Sequence, residues 1–97
     1  MNQKENEIMD ILQEECAEVI QAVSKVRRFG IDNCKPGKPL TNREHLEEEL
    51  GDLLAMVDIM LEQDIVSWGN LEVAKKAKLK NFASGQIFLK RYNNVRN

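Results

Sequence analysis

The chain has 97 residues, 14 of them Lys or Arg against 16 Asp or Glu, for a net charge of -2. That length supports one domain, residues 1–97, whose folding hides about 60–65% of the unfolded surface and leaves a modest core for a partner chain to complete. Five aromatic residues are a thin supply for base stacking, and residues 1–7 have neither a basic start nor an apolar run, so no signal peptide or membrane span is expected.

Ile8, Leu12, Val19, Val23 and Val26 recur every three, four or seven positions, which at about 100° per residue marks one face of a first helix over residues 4–28. Residues 29–39 contain two glycines and two prolines and read as a loop, after which Thr41 or Asn42 offers a cap. Leu46, Leu50, Leu53, Leu54, Val57, Met60 and Leu61 make a broad apolar face on a second helix over 43–64, with Met56 and Met60 as core. The longest uncharged stretch of this helix, residues 53–57, stops at Asp58, far short of a bilayer span. Trp68-Gly69-Asn70 is expected to interrupt before a third helix near Leu71, and Trp68 to plug a junction between helices. Ser84-Gly85 should break that helix, with Ile87, Phe88, Leu89 and Tyr92 forming a short last one. The fold class is all-α, an antiparallel bundle of three main helices plus a short C-terminal one, completed by oligomerisation because the second helix has more apolar face than one neighbour can cover.

Charge is uneven, with six acids against Lys4 in residues 1–22 and seven Lys or Arg against Glu72 in residues 71–97. The basic extension, 84–97, lacks the Gly-rich or aromatic interleaving of a nucleic-acid surface and reads as a solvated face with a frayed end. Cys16 in a helix and Cys34 in a loop make neither a zinc pattern nor a disulfide framework, so a cytoplasmic, reducing location is expected.

Two acidic clusters remain, Glu14-Glu15-Cys16-Ala17-Glu18 and Glu49-Leu50-Gly51-Asp52. Glu14, Glu18 and Lys25 fall within about 40° of one another, while Glu15 turns about 100° from Glu14 toward Val19 and Val26. Glu49 lies within about 40° of Leu53, Met56 and Met60, and Asp52 about 20° from Ile59, both on the wrong side for solvation. Antiparallel packing of the two helices brings Glu15, Glu18, Glu49 and Asp52 to one point. A lone buried carboxylate costs several kcal/mol and like charges add to that, penalties that a divalent cation removes. An all-oxygen set without Cys or His selects magnesium, manganese or calcium, and Mg2+ with open water positions suits a polyphosphate ligand.

Glu-Glu-x-x-Glu on one helix and Glu-x-x-Asp on the next resemble the all-α nucleoside triphosphate pyrophosphohydrolases, MazG-like proteins in particular. The resemblance covers residues 8 to about 82, the motif-bearing part being about 4–82. It includes the small residues Ala17, Ala22 and Gly51 where helices would approach, and residues 22–30 are similar to compact phage or prophage members. Thirty residues separate Glu18 from Glu49, a longer spacer than many members have. The resemblance implies hydrolysis between the α and β phosphates of a (deoxy)nucleoside triphosphate, with Mg2+ (or Mn2+ in its place) on Glu15, Glu18, Glu49 and Asp52, in a homodimer or homotetramer that controls nucleotide pools. Glu14 is then the candidate base. Lys25 and Arg28 are candidate phosphate contacts, while Lys78 and Asn81 resemble basic and amide positions that help close the site. His45 is expected to be a surface residue. Phosphoribosyl-ATP pyrophosphohydrolase shares the same acids, and a non-enzymatic helical adaptor with solvated acids is the alternative from another class. A di-iron bundle calls for Glu-x-x-His pairs that this chain lacks.

Overall fold

A computed structural model describes residues 1–85, which form three helices: α1 (Gln3–Phe29), α2 (Asn42–Glu62) and α3 (Trp68–Gly85). Among the described residues there is no strand beyond an isolated bridge between Cys34 and Thr41, as expected of an all-α chain. The chain divides into two compact units, residues 1–65 and a second from Val66 onward.

The first unit is a hairpin of α1 and α2. Each helix starts with a reciprocal cap: Glu5 N–H donates to Asn2 Oδ1 at 2.8 Å while Asn2 N–H donates to Glu5 Oε1 at 2.9 Å. Thr41 and Glu44 repeat this at 3.0 and 3.1 Å, and such caps contribute about 1 kcal/mol each. Helix α1 stops at Gly30, whose φ of +93° and ψ of 150° suit a residue without a Cβ. The chain then returns under tight control. Asn33 Nδ2 donates to Phe29 O, Asn42 N–H to Asn33 O at 2.9 Å, Arg43 N–H to Ile31 O at 2.8 Å, and the buried Asn42 Nδ2 to Gly30 O at 2.8 Å. These bonds set the end of α1 beside the start of α2, so the helices run antiparallel.

The core of the hairpin contains Ile8, Ala22, Met56 and Met60, with Leu12, Val19, Val26, Leu46, Leu53, Val57 and Leu61 half-buried around them. Met56 and Met60 are core as their spacing predicts. Of the three small residues expected at the close approach of helices, Ala22 alone is buried. Ala17 and Gly51 are exposed, and a Cβ on Gly51 would meet nothing within 4 Å. The reason is geometric: two helices share one narrow contact stripe, and the rest of each surface faces outward. Leu54, at 65% exposure, belongs to the surplus apolar face read on the second helix, and Ile20 on α1 is 69% exposed beside that expectation.

In the second unit α3 begins three residues earlier than its expected start at Leu71. Ser67 Oγ accepts from Asn70 N–H at 3.2 Å, so this hydroxyl caps the helix and draws Trp68-Gly69-Asn70 into its first turn. Trp68 is 63% exposed rather than buried as a plug. Ser84 and Gly85 are still helical at the limit of the described residues, with Ser84 Oγ donating to Lys80 O and Asn81 O at 3.3 and 3.1 Å, so the break expected there is not reached within them. The short last helix expected at residues 87–92 lies outside the described residues. No described helix is long and apolar enough to cross a membrane.

Candidate metal centre

Helix α1 presents Glu14, Glu15 and Glu18 within one turn, and the 100° step between neighbours turns Glu15 toward α2. Glu15 and Glu49 are half-buried, and the side chain of Glu49 keeps 15% of its exposure. Glu15, Glu49 and Asp52 each bring one carboxylate oxygen to within 4.8 Å of the others. One correction follows. Asp52 is exposed rather than turned away from solvent, because the cluster opens at the edge of the hairpin and Asp52 forms its rim. Glu18, expected as a fourth ligand, is exposed and falls outside the close set, as does Glu14.

The electrostatics register the crowding. The Glu15 carboxyl is held above its ordinary value of 4.5, first by burial and then by the charges of Asp52, Glu49, Glu18 and Glu14 in that order. Glu14 and Glu18 therefore act on the cluster through space. Magnesium at about 2.0–2.1 Å from its oxygens bridges donors up to about 4.2 Å apart, and calcium at about 2.3–2.6 Å up to about 5.2 Å. The three-acid set fits a hard divalent cation of this kind, with slight closing for magnesium.

His45, expected as an idle surface residue, is half-buried, and its Nε2 lies 3.3 Å from Glu49 Oε1. The signal in the sequence was its position four residues before Glu49, one helical turn away.

Beyond His45 the hairpin changes sign. A cavity of about 380 Å³ is lined by Lys25, Lys35, Lys38, Leu40, Asn42 and His45. A second, of about 560 Å³, shares Lys25, Lys35 and Asn42 and adds Arg28 and Phe29, the Arg28 guanidinium resting 4.9 Å from the centre of the Phe29 ring. The structure thus places Lys25 and Arg28 at the basic end of the hairpin, together with Lys35 and Lys38, which periodicity could not find because they sit in the link. Lys78 and Asn81 are on α3, in the second unit, where Lys78 Nζ lies 4.7 Å over the Phe82 ring and Asn81 is exposed.

The family model of the MazG nucleotide pyrophosphohydrolase domain matches residues 3–79, which takes in both helices of the hairpin and most of α3. The chain belongs to the MazG family. No curated protein and no solved structure matches this MazG domain. The matched span takes in Glu14, Glu15, Glu18, Glu49 and Asp52 as well as Lys25, Arg28 and Lys78, whereas Asn81 lies just beyond it.

Proposed function

We propose that this MazG domain hydrolyses a (deoxy)nucleoside triphosphate between its α and β phosphates, releasing the nucleoside monophosphate and pyrophosphate, with Mg2+ as the working ion and Mn2+ as a substitute. The observation that carries this reading is the convergence of Glu15, Glu49 and Asp52 across the hairpin, with their oxygens within 4.8 Å.

Glu15, Glu49 and Asp52 would hold the ion, and Glu18, one turn from Glu15, would join by a side-chain rotation or through water. When bound, the divalent ion supplies charge neutralisation at the phosphate oxygens and makes a bound water more acidic. His45 Nε2, 3.3 Å from Glu49 Oε1, would orient that carboxylate for the ion. Glu14, exposed beside the cluster, is assigned as the base that takes the proton of the attacking water. The water oxygen then bonds to the α phosphorus as the bridge to the β phosphate breaks, and pyrophosphate departs with the bond electrons. Lys25 and Arg28 neutralise the departing phosphates, and Lys78 and Asn81 are assigned to closing the site over the nucleotide. The proposed setting is cytoplasmic nucleotide-pool control. The proposed assembly is a homodimer or homotetramer that covers the exposed Ile20 and Leu54.

Pyrophosphate release from a panel of ribo- and deoxynucleoside triphosphates with Mg2+ tests this. Glu49→Gln and Glu15→Gln should each lower turnover at least about 100-fold, the scale on which loss of a charge-stabilising group acts. Glu18→Gln should cost less, about tenfold. Release unchanged by Glu49→Gln would remove the hydrolytic assignment from this cluster.

A further inference from the structure

The link between α1 and α2, residues 30–41, is more than a spacer. Its own acid, Asp32, is committed: Arg43 Nε donates to Asp32 Oδ1 at 3.0 Å, and that guanidinium holds the Asp32 carboxyl below its ordinary value. Glu44, the next acid along the chain, is tied into the Thr41 cap. Glu49 faces His45. By contrast, among the described residues none of Lys25, Arg28, Lys35 and Lys38 is in an ion pair. The charge left uncompensated around the link is therefore positive.

These cations also surround a formed space. The link is pinned at both ends by the Asn42 and Arg43 bonds, and Lys38 N–H donates to Lys35 O at 2.9 Å in a turn over Pro36-Gly37, where Gly37 has a φ of +77°. Lys35 and Lys38 of that turn line the 380 Å³ cavity together with Lys25 from α1. Its volume lies at the small end of the range for ligand sites, about 300–1,000 Å³. His45, which also lines it, is one contact from Glu49. Three lysines from two segments around one cavity suit a compact anion with several charged oxygens.

We propose that Lys35 and Lys38, with Lys25, form a seat for pyrophosphate: it takes the terminal two phosphates of the triphosphate and afterwards holds the pyrophosphate product. The substrate half rests on the hydrolytic reading above; the seat itself rests on the link. The triphosphate then lies along the hairpin, its α phosphate at the acids and its free end at the link. Monophosphates, which cannot reach the lysines, are released first.

The test uses the full chain and inorganic pyrophosphate, with titration calorimetry in EDTA at low salt so that no metal contributes. The native chain should bind pyrophosphate, Lys35→Ala/Lys38→Ala should weaken binding tenfold or more, and Lys35→Arg/Lys38→Arg should stay within about threefold. Glu49→Gln should bind at least as well as the native chain. Both lysines are exposed and donate no side-chain hydrogen bond among the described residues, so an unchanged melting temperature is expected of these variants. In steady state the double alanine variant should raise KM for the triphosphate and the pyrophosphate inhibition constant by the same factor, with a smaller change in kcat. Absence of pyrophosphate binding, binding indifferent to the alanines, or equal affinity for sulfate would each overturn the seat. Hydrolysis with KM and inhibition unchanged in the double alanine variant would sink the seat and spare the hydrolase. Lysine-dependent binding without hydrolysis of any triphosphate would do the reverse.

Discussion

Substituting Asn42 with Asp should destabilise the chain, against the usual preference for an acid in the first turn of a helix. Asn42 is the first residue of α2, where a carboxylate facing water gains about 0.3–1 kcal/mol from the helix dipole. Here the side chain is 6% exposed, and its Nδ2 donates to Gly30 O at 2.8 Å. A carboxylate would turn an oxygen toward that carbonyl, and leaving a charge buried without its partner costs about 3 kcal/mol. The net loss is about 2–3 kcal/mol. Asn42→Ala removes only the bond, about 1 kcal/mol, because Gly30 is exposed and water can satisfy its carbonyl. Urea unfolding in EDTA should read the difference: with a slope of about 1–3 kcal/mol per molar, the midpoint of Asn42→Asp falls by about 0.7–3 M and that of Asn42→Ala by about 0.3–1 M, two to three times less at any one slope. Acid should narrow the gap for the Asp variant, since its protonated carboxyl becomes a donor again. A midpoint for Asn42→Asp at or above that of the native chain would refute the view that this bond sets the register of the hairpin.

Gly30→Ala should cost about 1–3 kcal/mol by thermal melting, because φ of +93° strains any Cβ and this one would meet Asn33 Nδ2 at 3.1 Å. Met60→Ala, at a site 7% exposed, should lose about 2–3 kcal/mol in the same assay through lost burial and a cavity. Glu44 and Asp32 titrate below their ordinary values of 4.5 and 3.8 through the Thr41 cap and the Arg43 pair respectively, so the stability they supply is complete above those values and is lost as pH falls through the lowered ones. Thr41→Ala should therefore flatten the acid limb of a stability profile as well as costing about 1 kcal/mol at neutral pH. Glu15 has the opposite sign: its raised value makes the metal-free chain less stable as pH rises through it, above 4.5. Glu15→Gln should abolish that fall in EDTA, and the rise in melting temperature expected of the native chain with Mg2+ should be absent from this variant.

Helices α1 and α2 were legible to within two residues at either end because their apolar residues keep a 3.6-residue period and their ends carry Asn, Thr and Gly signals. The start of α3 was not, since Trp68-Gly69-Asn70 has the composition of a break and only the Ser67 hydroxyl makes it a first turn. For the acids, angular position identified Glu15 and Glu49 correctly as inward-facing, but an angle says nothing of how deep a residue lies below a rim, and so Asp52 was expected in the core. Glu18 shares the stripe of Glu14 on a helix wheel, and the close set of oxygens does not include it. The link lysines escaped for a different reason: their meaning depends on a pair made across space, the Arg43 contact that takes Asp32 out of the charge balance. For His45 the spacing to Glu49 was in the sequence, but spacing alone does not say that the pair is half-buried.

Every residue of the three-acid cluster belongs to two helices joined by a link that its own hydrogen bonds hold in place. Contacts of this kind close between segments near in sequence, so the loop entropy lost in forming them is small and they can assemble early as the chain folds. The acids proposed to hold the ion therefore meet as soon as the hairpin zips, without waiting for residues beyond 65. On that reading a chain emerging from synthesis would hold these acids together before its last third had been made, and a bound cation would clamp the nascent hairpin.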